Sequence, residues 1–168
     1  MPQLHAQPYD ITANGFHFES LEEYADKANS NHNDYGDPVE EYEVQFIDGD
    51  HIDCDLAKAW EINQANIGQY FEACESWDDH DKTVFIIAVG EVGCCFDPET
   101  VSPSDFDADI YRVDSMKELA EQFVDEGLFG EIPDHLANYI DMDAIARDLA
   151  HDYTETEIAG ERLIYRAA

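Results

Sequence analysis

Paired carboxylates can carry general acid–base catalysis, but this chain has 40 Asp and Glu, so no single pair is informative. Histidine and cysteine offer more selective chemistry. The seven His form no recognisable nucleophile arrangement, and no GxSxG, P-loop or dinucleotide fingerprint occurs. His51-x-x-Cys54 has ligand-like spacing, and Cys74 precedes His80 by six positions. A complete zinc set normally shows a second close pair, and Cys74 reads better as a core residue beside Phe71. Asp105-x-Asp107-x-Asp109 looks like the start of a calcium loop. Ile110, however, stands where that loop needs Gly, and Met116 where it needs Glu. His135 and His151 fall on acidic helix faces and read as surface histidines. The expectation is an inhibitor or binding protein with no catalytic residues, no cofactor and no metal.

The acids offer a surface instead. Glu118, Glu121 and Asp125 recur at spacings of three and four, which places them on one helix face about 5–6 Å apart. Glu22 with Asp26, and Asp148 with Asp152, repeat the pattern. Carboxylate rows on this spacing can stand in for phosphates on a basic groove. One such row is an ordinary solvated face; rows on element after element, with few basic partners, describe a candidate binding surface.

Charge supports the same class. The formal charge is −32, and duplex DNA carries one charge per ~1.7 Å of axis. The chain therefore matches the charge of about 16 base pairs, roughly 54 Å of duplex. The same sign excludes direct binding to nucleic acid or an anionic membrane. Hydrophobic residues at 44% and aromatics at 12% argue for a folded chain despite the repulsion. Salt adaptation is the other reading of so acidic a chain, whose lysines are Lys27, Lys58, Lys82 and Lys117 alone; it would make this a haloadapted structural or partner-binding module. Cys54, Cys74, Cys94 and Cys95 form no CxxC pair, no signal peptide precedes them, and no apolar run reaches membrane length. These features predict a cytoplasmic protein with reduced thiols.

Periodicity supplies the mounts. Residues 4–18 read as a strand pair around Asn14-Gly15. Ser20 and Glu23 form a capping box for a helix through Leu21, Tyr24, Ala25 and Ala28, and residues 29–38 read as a polar loop. Tyr42, Val44 and Phe46 alternate with acids and Gln as a strand. Helices are expected over 53–60 and from 64, capped by Asn63, to about 77. Residues 83–89 have strong β propensity. A linker is expected over 97–107, and a short strand over 109–113. Ser115 and Glu118 cap a helix to Glu126, and residues 162–165 read as a last strand. Between them lies the stretch Phe123–Leu149. Gly127 is a natural helix stop, Pro133 suits the first turn of a second helix, and Asp141 can cap a third. Leu136, Tyr139 and Ile140 give the second helix an apolar side, and Met142, Ile145 and Leu149 the third. Asp125, Glu126, Glu131, Asp134, Asp141, Asp143, Asp148 and Asp152 occupy the remaining positions.

Gly127 to Asp141, in the order G-x-(L/F)-G-E-(I/V)-P-x-x-L-x-N-Y-I-D, followed by Arg147-Asp148-Leu149, resembles the C-terminal part of the ArdA antirestriction family. Val39-Glu40-Glu41-Tyr42-Glu43-Val44 is similar to the acidic strand that closes that family's first domain. The resemblance implies an α+β fold, elongated, with short antiparallel sheets and a helical middle, so residues 82–89 are expected as helix, although propensity alone would equally give a buried strand. It implies two to three small subdomains, with bounds at 1–52, 53–104 and 105–168. It further implies a DNA mimic that acts as a homodimer on the methyltransferase and specificity core of a type I restriction–modification enzyme in the host bacterial cell. Gly127, Gly130, Pro133, Leu136 and Tyr139 would then serve as scaffold or dimer contact. Another target for the same mimicry, a CRISPR effector or another DNA-binding protein, remains open at this point.

Overall fold

Alternation decides the first sheet. The computed structural model describes residues 1–97 and 102–167, and in it strand β1 (Gln3–Pro8) buries Leu4, Ala6 and Pro8 and turns the intervening residues outward. It is the central strand, flanked antiparallel by β2 (Phe16–Phe18) and β3 (Tyr42–Asp48). Leu4 lies opposite Phe18 on one side and Phe46 on the other. Helix α1 (Leu21–Ser30) covers this face through Tyr24, whose ring meets Phe18 at 4.9 Å. Ser20 Oγ accepts from the Glu23 N–H, while the Glu23 carboxylate accepts from the N–H of Glu19. The capping box therefore forms, with its return bond one residue earlier than expected.

A helical layer follows in the same unit: α2 (His51–Trp60), α3 (Ile67–Ser76) and α4 (Asp79–Phe85), the last continuing as a π-helical segment, Ile86–Glu91. Residues 82–89 are thus helical, as the resemblance implied and propensity did not. The cause is tertiary. Residues 82–88 are all buried, so this helix has no polar face to give it a 3.6-residue stripe. Asp78 caps it by accepting from the Asp81 N–H at 2.9 Å. Its aromatic anchor is Phe85, stacked on Trp60 at 4.7 Å, with Trp77 at 5.3 Å. Helix α3 starts at Ile67, not at Gln64. Asn63 accepts from the Ala65 N–H in a turn, and Gln64 is taken up by the sheet, accepting from Tyr42 N–H and donating to Glu40 O. At the other loop, α1 extends to Ser30, inside the stretch expected as coil.

The chain divides into two compact units, Met1–Phe106 and Asp107–Ala168. Of the expected linker, residues 98–101 lie outside the described residues, and Pro103–Asp105 form a short 3-10 turn.

The second unit is built on β4 (Ala108–Tyr111), β5 (Thr154–Ile158) and β6 (Glu161–Ala167), with β6 in the middle of an antiparallel sheet. Leu163, Ile164 and Tyr165 of β6 are all buried. Helix α5 (Met116–Asp125) sets Met116, Leu119 and Phe123 against Ile164, and Ala146 and Leu149 of α7 (Met142–Leu149) pack on the same cluster. Ser115 caps α5 by accepting from Glu118 N–H, and Glu118 accepts in return from Asp114 N–H. Strand β5 was not expected: Thr-Glu-Thr-Glu carries too little apolar character to announce a strand. Ala159 and Gly160, both at positive φ, make the tight turn that pairs it with β6. The fold is α+β with two small three-stranded antiparallel sheets.

Candidate partner-binding surface

Helix capping and packing determine where the acids face. Leu119, Ala120 and Phe123 anchor α5 on the core, so Glu118, Glu121 and Asp125 face solvent. On α7, Asp141 caps the helix by accepting from Ala144 N–H at 3.0 Å, and Asp143 and Asp148 are exposed, with Asp152 just beyond. Glu126, Glu131 and Asp134 are exposed in the intervening segment. Glu22 and Asp26 are exposed on α1 of the first unit. All twelve candidate acids are therefore solvent-facing, ten of them in the second unit.

Their partners decide how much charge remains available. Lys117 pairs with Asp143 at 3.1 Å, joining α5 to α7. Among the described residues, no other of the twelve acids forms an ion pair. Five further cations are engaged locally: Lys27 with Glu23, Lys58 with Asp55, Lys82 with Asp53, Arg112 with Glu161, and Arg166 with Asp109. Lys27 donates to the Glu23 carboxylate and so holds its pKa below the usual range. The neighbouring Asp143 raises that of Lys117. Each lysine thus forms one ion pair, and eleven of the twelve candidate acids form none among the described residues.

The stretch between α5 and α7 differs from its expected form. The second helix is one turn, α6 (Asp134–Ala137), and Pro133 stands at its cap position rather than inside it. Gly127 and Gly130 both adopt positive φ, 76° and 91°, which side chains disfavour; these two turns interrupt any longer helix. Leu136 is exposed and Tyr139 is 83% exposed. Neither is an internal anchor of the mount, contrary to the periodicity argument, because a single turn has no buried side to give them. With Leu128 and Phe129, also exposed, they leave four large apolar side chains outside the core. The sequence signal for the last two was their position between turn glycines, where no helix face could bury them.

A cleft of about 800 Å³ opens in this segment. Gly127, Gly130 and Pro133 line it, Val124, Ile132 and Met142 are half-buried in it, and Asp125, Glu126, Glu131 and Asp134 are its exposed acids. The arrangement can receive a cationic group with an aliphatic stem, since such a side chain buries its methylenes and keeps its charge at the rim.

The residues of the other candidate chemistries have local roles. Burial pushes the Cys74 thiol up to about 12, so near neutral pH it stays protonated and is a poor nucleophile. Asp105 is used by the turn, accepting from Ser102 N–H, and Asp109 by Arg166. Among the described residues, no group of three or more His, Cys, Asp and Glu is placed to hold a metal ion, and no helix is long and apolar enough to cross a membrane.

A family model described as Antirestriction protein (ArdA) matches residues 7–160. No curated protein sequence matches the chain significantly.

Proposed function

Because the chain belongs to the ArdA antirestriction family, we propose that it blocks a restriction–modification enzyme by occupying its DNA-binding groove as a mimic of DNA. The observation that carries this reading is the excess of exposed acid: twelve solvent-facing carboxylates on α1, α5, α6, α7 and the turns beside them, one of them ion-paired among the described residues. Lys and Arg that neutralise phosphates in the groove would meet carboxylates at helix spacing, about 5–6 Å apart. Long-range attraction between fields of opposite sign speeds encounter. No bond is made or broken, so the protein acts without turnover.

The target we assign is the methyltransferase and specificity core of a type I enzyme, in the cytoplasm of the bacterial host. We further assign the exposed Leu128, Phe129, Leu136 and Tyr139 to contact with a second copy. They are large apolar groups with no cover, and a homodimer would double the acidic surface presented. Direct competition tests the function. Added protein should displace labelled duplex DNA from a purified type I methyltransferase, less effectively as salt rises. Failure to displace DNA at low salt sinks the proposal; displacement from a CRISPR effector or another DNA-binding protein alone would keep mimicry and replace the target.

A further inference from the structure

Two neighbouring loops of the first unit carry three largely exposed apolar side chains: Tyr9 at 66%, Ile11 at 97% and Tyr35 at 80% exposure. Isolated exposed apolar residues are ordinary. These three ride on two loops, residues 9–14 and 31–38, that are sewn together. Asp10 Oδ1 accepts from Thr12 N–H at 2.9 Å and from Thr12 Oγ1 at 2.7 Å, and Asp10 Oδ2 accepts from Asn33 Nδ2 at 2.9 Å. Asn33 Oδ1 in turn accepts from the N–H groups of Tyr35 and Asp37. Asp34 N–H donates to Thr12 O across the seam, and Tyr9 N–H to Glu41 O. Hydrogen bonds from Asn33 and Thr12 hold the Asp10 carboxyl below the usual carboxylate range, so the stitch is in its accepting form at neutral pH.

The loop backbone beneath the three side chains is therefore ordered before any partner arrives, which lowers the entropy cost of binding through them. Asp34, Asp37, Glu40 and Glu41 surround them in sequence, and neither loop contains Lys or Arg. An anionic lipid surface would be repelled here, and contact with a second copy is already assigned to Leu128, Phe129, Leu136 and Tyr139 of the other unit. The complementary partner is a cationic protein surface with apolar recesses. A groove built for nucleic acid has that character, because it contacts base faces and thymine methyl groups between its cations.

We propose that Tyr9, Ile11 and Tyr35 form the apolar anchor with which this chain grips the basic DNA-binding groove of its target, in the place of bases rather than of phosphates. This rests on the groove-occupying function proposed above and divides the labour within it. The carboxylates govern encounter; the anchor governs residence. Aromatic residues held rigidly are the usual carriers of interface energy.

The test is binding kinetics on a purified type I methyltransferase complex. The variant Tyr9→Ser/Ile11→Ser/Tyr35→Ser keeps Asp10, Thr12 and Asn33, and circular dichroism with thermal unfolding checks its fold; Ile11→Ser alone serves if the triple variant is misfolded. The expected result is a koff raised ~10-fold or more with kon within about twofold. The charge variant Glu118→Gln/Glu121→Gln/Asp125→Asn should do the reverse, slowing kon at low salt. An unchanged koff for a folded anchor variant overturns the inference and leaves groove competition standing. Absence of binding by the unsubstituted protein overturns both. Loss of self-association in the variant, with koff unaltered, assigns these loops to a second copy and also overturns it.

Discussion

Lys82 stands where three helices meet. Its ammonium lies 2.7 Å from Asp53 Oδ1 of α2 and 3.2 Å from the Cys74 carbonyl of α3, and both ionic side chains are almost fully buried. The backbone carbonyl of Asp53 accepts from Tyr70 OH as well. A buried pair of this kind adds little net stability over a well-packed apolar pair, but breaking it is costly because one charge is left without a partner. Lys82→Met is therefore expected to destabilise the first unit by about 3–5 kcal/mol. Asp53→Leu/Lys82→Met should recover most of that loss. Urea denaturation of the two variants and the parent checks the prediction; equal losses in the single and double variants would mean that packing volume, not charge, is decisive. Nothing in the sequence links positions 53 and 82. Lysine is usually a surface residue, and only the folded chain reveals that this one sits inside.

Among the elements, those legible in the sequence were the ones with a wet side. Strands β1 and β3 alternate, and α1 and α5 carry capping serines with a glutamate three residues on, so the pattern of these elements and the starts of the two helices could be read directly. The α4 and π-helical run was ambiguous from its residues because burial on all sides erases periodicity. Strand β5 was missed for the opposite reason, being almost wholly polar. The acidic faces of α5 and α7 were readable as surface; the fate of Leu136 and Tyr139 was not, since a helical spacing of apolar residues implies a buried side only if the helix is long enough to have one. Their exposure sets a contrast with α5. Leu119 is 0% exposed, and Leu119→Ala should cost about 2–5 kcal/mol. Tyr139→Ser should change monomer stability by no more than about 0.5 kcal/mol. Measured at low protein concentration, so that assembly does not contribute, a large loss for Tyr139→Ser would show that it packs internally after all.

For the molecule as a whole, the excess of acid acts in two directions. Repulsion among the carboxylates opposes folding, while the same field favours a basic partner. Salt shortens the reach of both effects, with a Debye length of about 10 Å at 0.1 M. Raising ionic strength from very low values to about 0.15 M should therefore raise the Tm of the free protein and weaken its complex with the target. Scanning calorimetry and competition binding in the same buffers check this pairing. A protein that is unfolded in dilute buffer and gains order only in molar salt would instead fit the haloadapted module.

The aromatic cluster around Phe85 has a spectroscopic consequence. Both tryptophans of the chain, Trp60 and Trp77, lie in it, with ring centroids 5.4 Å apart, and both belong to the unit Met1–Phe106. Indole emission is therefore a reporter for that unit alone. The other unit, with Tyr111 and Tyr153 against Phe123, is silent in that channel, so a fluorescence melt that departs from the far-ultraviolet melt would resolve the loss of one unit from the loss of the other.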